Sequence, residues 1–431
     1  MRKAVILGAY GLIGSACLRA VKADGFAVTG VGRSKAAAMR CDPHAPWILL
    51  DIAAATVRDW RTVFQDADVV VNASGALQTG ARDSLAAIHD VAIARMLEAL
   101  AGSRTRFIQI SAAGVSPDAG TEFFRSKARG DARIMASGHD WIILRPTLVV
   151  STEAYGGTAL LRAAAAVPLV CAKVLADSPI QTVWVEDLAA AVLQAARGGI
   201  AARTLADITE RQARSFAETL RMVRAWQGFP PWRFTVSIPR PLLRAAARIA
   251  DATGWLGWRS PLRTNAIRSL EDGITGDAAT WEAAGGSPCR SLPETLAEIP
   301  ATAQERWFAR LTLLGPVAIG TLSLFWVLSG LLGFAESGPA EALLTERGLG
   351  SGPAAAAVLG GSLIDLLLGL AILYRPLSRF ACLGMVAVSV AYLLGATLFA
   401  ADLWSDPLGP LVKVLPGIVL ALVAAALLDE R

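Results

Sequence analysis

The chain has 431 residues, 54% of them hydrophobic, and a mean hydropathy of +0.47. That excludes an ordinary water-soluble protein and leaves room for about two to three domains. Residues 1–304 carry 34 basic and 27 acidic side chains (+7), and residues 305–431 carry 7 and 9 (−2). No basic run interleaves with aromatics, which argues against nucleic acid; a basic soluble part beside anionic headgroups is the simpler account.

The chain opens with a short apolar run, "KAVILG", suited to a buried parallel strand. The stretch from Met1 to Gly8 is too short for a secretory leader, so the N-terminal part is expected in the cytoplasm. Ile13, Ala16, Cys17, Ala20 and Val21 then recur at helical spacing and Gly25 stops the run. Gly8, Gly11 and Gly14 therefore fall in a strand-to-helix turn. Bare backbone there lets a pyrophosphate approach N–H groups at the positive end of a helix dipole. Tyr10, Leu12 and Ile13 belong to the same predicted nucleotide loop, with the Tyr10 ring expected to point away from the phosphates.

The next strand, "FAVTGVGRS", ends without the acidic residue that would hold adenosine ribose hydroxyls and repel a 2′-phosphate. Arg33, Ser34 and Lys35 stand there instead, which favours NADP(H) while leaving NAD(H) open. "WILLDIA" places Asp51 and Ile52 beside the adenine. "DVVVNASGA" is a strand followed by Asn72, Ala73, Ser74 and Gly75. "RFIQISAAGV" is a strand ending at Ser111, and "WIILRPTLVV" is another. Helical stretches such as Leu85–Leu100 lie between them. This alternation predicts an α/β fold, a doubly wound parallel sheet of the Rossmann kind, with ligands at the carboxyl ends of the strands.

Taken together, Gly8, Gly11, Gly14, "NASGA" at 72–76, Ser111, the "RSK" ending at Lys127, "LRP" at 144–146 and "VWVEDLA" at 183–189 resemble the short-chain dehydrogenase/reductase superfamily in its extended or atypical branch. The resemblance is strongest to atypical members that include an accessory subunit of respiratory complex I. It implies that Lys127 holds the nicotinamide ribose and that Ser111 steadies a substrate oxygen. It also implies a tyrosine four residues before Lys127, where this chain has Phe123. A phenyl ring has no ionisable proton, so the family's acid–base step cannot run through it. Tyr155, after the last of these strands, is the remaining candidate to reach the site, against a packing role. Three readings stay open: hydride transfer to a small lipophilic, quinone-like substrate; a nucleotide-binding sensor or assembly factor without catalysis; and, more weakly, a nucleotide-sugar epimerase.

Cysteines at 17, 41, 171, 289 and 382 and histidines at 44, 89 and 139 have no metal-ligand spacing, so free thiols in a reducing compartment and no metal are expected. Residues 151–304 read as the substrate side of an NAD(P)-binding domain spanning 1–304. One of its amphipathic helices, "PRPLLRAAARIADATGWLG", is suited to a membrane face.

Beyond residue 305 the pattern changes to a four-helix membrane bundle. Apolar stretches at about 311–335, 353–374, 380–401 and 408–428 are each long enough to span about 30 Å of hydrocarbon. Arg306, Arg310, Arg375 and Arg379 mark one side, and Glu336, Glu341, Glu346, Asp402 and Asp406 the other. Positive-inside logic puts both termini in the cytoplasm of a bacterial-type inner membrane. The tail resembles the DoxX-like family, with "LGPLVKVLP" its most suggestive piece. Asp365 lies about 12 residues inside its span, roughly 18 Å at the helical rise, and Lys413 about five, roughly 8 Å. A buried Asp365–Lys413 pair is expected, either fixing the bundle or marking a polar spot for a quinone headgroup or a proton. A lipophilic small molecule and membrane lipid are the expected partners, and self-association or a membrane partner is left open.

Overall fold

The computed structural model describes residues 1–76, 84–258, 260, 262, 264–407 and 409–428. They form two compact units. One comprises residues 1–251 and 260–309, and the other residues 252–259 and 310–431.

The first unit is built on a seven-stranded sheet. Strands β1 (Lys3–Leu7), β2 (Ala27–Gly32), β3 (Trp47–Leu49), β4 (Val69–Asn72), β5 (Arg106–Ile110) and β6 (Trp141–Pro146) join Thr204–Ile208, all parallel. The spatial order is Thr204–Ile208, β6, β5, β4, β1, β2, β3. Strand order reverses between β4 and β1, and that crevice is where such sheets take ligands.

The strands read as continuous apolar runs because both faces are covered. On one face, Ala16, Cys17, Leu18 and Val21 of α1 (Leu12–Ala23) pack with Leu188 and Val192 of α7 (Val185–Arg197) against Ile6, Val71 and Ile108. On the other, Trp60 of α3 (Val57–Val63), Ile93 and Met96 of α4 (Ala92–Ala99) and Ile134 of α5 (Glu122–Ala136) close over Leu7, Val70 and Phe107. Helix α2 (Lys35–Cys41) lies between β2 and β3 in sequence.

The stretch "WIILRPTLVV" is two strands rather than one. Pro146 ends β6, and Leu148–Val150 pairs separately with Thr182–Trp184. A proline offers no N–H to a ladder, so the break falls where the sequence allows it. Beyond it stand α6 (Gly157–Ala166), α8 (Phe216–Trp226) and α9 (Arg240–Thr253).

The second unit is helical. The helices Ala303–Ala335, Ser351–Ala371 and Arg375–Phe399 are long and apolar enough to cross a membrane. A further helix, Ser337–Glu346, was not expected, and the last, Val414–Leu427, has only 14 residues where a span from about 408 was expected. Its predecessor sequence contains Pro407, Gly409 and Pro410, which resist helix formation, and Lys413 sits exposed at the helix start rather than inside a span.

Large apolar side chains point outward from this unit: Leu324, Phe325, Leu332, Leu367, Leu394 and Val419 are all well exposed, while Ser323, Ser362, Asp365, Ser378 and Ser389 are buried. That inverts the soluble pattern and associates the unit with a membrane. The expected Asp365–Lys413 pair does not form. Asp365 instead accepts hydrogen bonds from Ser329 Oγ at 2.6 Å and Tyr392 Oη at 3.0 Å, from the helices on either side. Small residues permit this approach. A Cβ on Gly330 would lie 2.6 Å from the Ser362 carbonyl oxygen, and one on Gly369 would lie 2.7 Å from the Val327 nitrogen.

Candidate NAD(P)-binding site

The loop after β1 is held by its own backbone. Gly8 has φ +69°, a left-handed conformation that glycine accepts without strain, and a Cβ there would sit 2.9 Å from Ser74 Cα. Gly11 donates its N–H to the Gly8 carbonyl at 2.9 Å and stands at the N-terminus of α1 with no side chain capping the helix. Gly14 packs so closely that a Cβ would fall 2.2 Å from Gly8 O. Leu12 and Ile13 form the first helical turn. The N–H groups of that turn have no side-chain cap, and the glycines let backbone pass close to backbone around them. These residues fit a pyrophosphate.

Tyr10 is turned out of the loop. Its ring lies over Gly32, where a Cβ would meet Tyr10 Cε1 at 2.1 Å, and its hydroxyl accepts the Arg33 backbone N–H at 3.1 Å. The tyrosine therefore braces the end of β2. Arg33 is exposed at that end, and Ser34 Oγ caps α2 by accepting from Ala37 N–H at 3.3 Å. Asp51 Oδ1 accepts from Ala53 N–H at 3.0 Å in a tight turn, and Ile52 packs partly into the core below.

Across the crevice, Ala73 donates its N–H to Leu7 O at 3.1 Å. Asn72, buried at the end of β4, donates Nδ2–H to Gln109 Oε1 at 2.8 Å and accepts from the Ser74 N–H and hydroxyl. Gly75 lies next to both His89 Nε2 and Lys127 Nζ, which a Cβ would approach to 3.4 and 4.0 Å.

Lys127 is buried on α5 and donates to the carbonyls of Ile110 at 3.1 Å and Ser111 at 3.3 Å. Burial pulls its pKa down to about 8, against a smaller upward pull from Asp131. Its ammonium stands 5.6 Å from the centre of the Phe123 ring. Ser111 donates its hydroxyl to Asp131 Oδ2 at 2.8 Å, and Arg145 donates to the same oxygen from Nε at 3.1 Å and Nη2 at 2.9 Å. Burial raises the Asp131 pKa even so, with Arg145 the main opposing influence. Tyr155 is half-exposed ahead of α6, and no hydrogen bond joins it to Ser111 or Lys127.

Two residues at this site escaped the sequence reading. Asp131 lies one helical turn after Lys127, on the same face, and that spacing could have revealed it. His89 offered no local signal. It is buried, with Nδ1 2.9 Å from Ser126 Oγ and Nε2 accepting the Ala76 N–H at 3.3 Å. Ser126 Oγ–H is committed to Phe123 O at 3.0 Å, so the proton of the neutral ring belongs on Nδ1. Burial, with Lys127 and Arg129 beside it, lowers the His89 pKa to about 3. His89 thus ties the loop after β4 to α5 as a neutral ring, edge-on to Phe123.

Residues 8–169 match a family model described as NAD(P)H-binding, and residues 323–422 match one described as the DoxX-like family. Among solved structures the chain is similar to a putative epimerase from Burkholderia cenocepacia J2315, at 18% identity over 72% of this chain and 98% of that one, TM-score 0.52. It is also similar to the UDP-glucose 4-epimerase of Thermotoga maritima solved with UDP-glucose, at 14% identity over 72% and 99%, TM-score 0.53. A third is the Bordetella bronchiseptica enzyme WbmH in complex with NAD+, at 17% identity over 71% and 98%, TM-score 0.51. Likeness at these identities is a likeness of fold. No curated protein matches the sequence. The chain joins an NAD(P)-binding Rossmann domain, with epimerases among its structural neighbours, to a C-terminal DoxX-like domain.

Proposed function

We propose that the protein is a membrane-anchored, NADP(H)-dependent oxidoreductase that transfers hydride to or from a small lipophilic acceptor of the quinone class. The observation that carries this reading is Lys127. It is buried at the carboxyl end of β5 beside Gly75 of the loop after β4, with a phenyl ring where a proton-carrying tyrosine is expected. When bound, the nicotinamide supplies a hydride, and Gly8, Gly11, Gly14, Ser74 and Lys127 would hold the dinucleotide. Arg33 would take the 2′-phosphate and Asp51 the adenine side. An acceptor that becomes a stabilised phenolate on reduction draws its proton from water, so it needs no preorganised tyrosine. This favours quinones over sugar or steroid alcohols. Ser111 is turned to Asp131 and would orient an acceptor oxygen only by sharing its hydroxyl. In this reading Tyr155 contacts substrate from the rim.

The apolar helices would make the chain multi-pass, with the Rossmann domain and both termini on the cytoplasmic side by the distribution of arginines. Phe123 also favours a second reading, a nucleotide-binding sensor or assembly factor without turnover. NADPH oxidation by the full chain in lipid nanodiscs, with and without short-chain quinones, separates them. Quinone-dependent oxidation that Lys127→Met abolishes supports the oxidoreductase. Tight NADPH binding without turnover supports the sensor.

A further inference from the structure

Helix α9 presents three different sides. Leu243, Ala247 and Ala250 are buried, and Leu243 and Ala247 pack with Val174, Leu175, Ile238, Leu262 and Ile267. On the opposite side, Leu242, Ala245, Ile249 and Ala252 are exposed at helical spacing, Leu242 at 62% and Ile249 at 66%. Between them stand the exposed Arg244 and Arg248, with Arg240 in the first turn, and none of the three makes an ion pair with a described residue. The acids nearby balance them only in part, the cleft beside the helix start holding three basic against two acidic side chains. Asp251 accepts from Thr264 Oγ1 at 2.5 Å, and Asp177 and Glu271 share with Lys173, Arg240 and Arg244 the cleft beside the helix start.

We infer that this side of α9 docks on the anionic surface of a lipid bilayer, Leu242 and Ile249 entering the headgroup layer and Arg240, Arg244 and Arg248 meeting phosphates. Chain continuity supplies the reason for lipid over a second copy. Residues 252–259, which begin with the last two residues of α9, belong to the helical unit. There Trp258 Nε1 donates to Leu373 O at 2.6 Å and Arg375 N–H donates to Leu256 O at 2.9 Å, at the junction of two apolar helices that also carries Arg379. Trp255, 93% exposed, is the aromatic type that settles at a membrane–water boundary. An antiparallel twofold pairing of two α9 helices would set arginines against arginines. An amphipathic helix with arginines beside its apolar stripe gains from both buried area and headgroup charge.

The inference rests on the membrane placement of the helical unit, and the test separates the two. A benzophenone amino acid is placed singly at Leu242, Ile249, Leu328 or Gln65 of the full chain in nanodiscs of phosphatidylcholine with or without phosphatidylglycerol. After irradiation, lipid adducts are counted by mass spectrometry. Adducts are expected at 242, 249 and the outward-facing 328, and none at the exposed α3-side position 65. Phosphatidylglycerol should raise those at 242 and 249, and Arg244→Glu with Arg248→Glu should lower them at least about tenfold. Adducts at 328 but none at 242 and 249, adducts indifferent to phosphatidylglycerol, or adducts to a second copy of the chain would overturn the docking. Absence at 328 as well would overturn the membrane placement itself.

Discussion

Ser111 and Arg145 share one acceptor, Asp131 Oδ2, at 2.8 Å from the hydroxyl and 2.9 Å from the nearer guanidinium nitrogen. The carboxylate therefore joins the end of β5, the end of β6 and the middle of α5 beneath the site. Removing the hydroxyl loses one hydrogen bond and leaves the ion pair whole. Ser111→Ala should cost about 1 kcal/mol. Asp131→Asn leaves the Arg145 charge without its partner and should cost about 3 kcal/mol or more. Denaturant unfolding of the full chain in detergent, followed by tryptophan fluorescence, compares them. Equal losses would show that the ion pair is not what holds these elements together.

Gly14 and Gly11 make a graded pair of tests for the dinucleotide cradle. A Cβ at Gly14 meets Gly8 O at 2.2 Å and Gly8 C at 2.8 Å, whereas one at Gly11 meets Gly8 O at 3.2 Å. The first forces the loop away from the helix, and the second asks for a few tenths of an ångström. Gly14→Ala should reduce NADPH affinity at least about a hundredfold and Gly11→Ala about tenfold or less, since each tenfold is about 1.4 kcal/mol. Fluorescence titration of the bound nucleotide reads both, and the reverse ranking would sink this account of the loop.

The nucleotide half was legible because its signals are local. "KAVIL" is apolar because β1 is covered on both faces, and three glycines mark where backbone passes backbone. His89 was not legible. Its partners, Ala76 and Ser126, lie 13 and 37 residues away, and only the packing of α5 beside the β4 loop brings them together. The Asp365–Lys413 expectation failed on two counts: the last helix starts only at Val414, so Lys413 is not inside a span, and Asp365 faces other partners. Depth along a helix can be counted from sequence, but the direction a side chain faces depends on helix rotation. Rotation gave Asp365 to Ser329 and Tyr392.

Acid should unmask His89. The folded protein holds it neutral with a pKa of about 3, against an ordinary value of 6.5. Between those values the unfolded chain binds a proton that the folded chain refuses, so stability falls as pH falls below about 6.5. The slope is up to about 1.4 kcal/mol per pH unit. Between pH 6.5 and 5 the wild type should lose about 2 kcal/mol more than His89→Gln. Parallel slopes would mean that the ring protonates in place.

In the proposed reading, cofactor choice turns on Arg33. It stands exposed just past β2, and the strand ends in Gly32 with no carboxylate to hold ribose hydroxyls. A guanidinium bound to a 2′-phosphate is worth about 1.5–3 kcal/mol. Arg33→Ala should therefore weaken NADPH binding about tenfold to a hundredfold and leave NADH binding unchanged. Isothermal titration with both nucleotides decides, and an equal loss for the two would assign Arg33 to the fold of the loop instead.

If Lys127 holds the nucleotide as proposed, binding should depend on pH. With its pKa drawn down to about 8, the ammonium loses its proton as pH rises from 7 to 9. The neutral amine gains a lone pair but donates one fewer hydrogen, and without its charge it no longer favours a bound dinucleotide. NADPH affinity should therefore fall about three- to tenfold across that interval. Lys127→Met should bind more weakly at pH 7 and show no such fall. Phe123→Tyr extends the test, because Lys127 Nζ lies 5.6 Å from the Phe123 ring centre. A tyrosine hydroxyl there would ionise below its ordinary pKa near 10 under the influence of the ammonium, visible as phenolate absorbance in a pH titration. The double variant Phe123→Tyr with Lys127→Met should return that titration toward pH 10. An unshifted tyrosine in the single variant would show that residue 123 does not face the lysine charge, and the argument from Phe123 would lose its geometric basis.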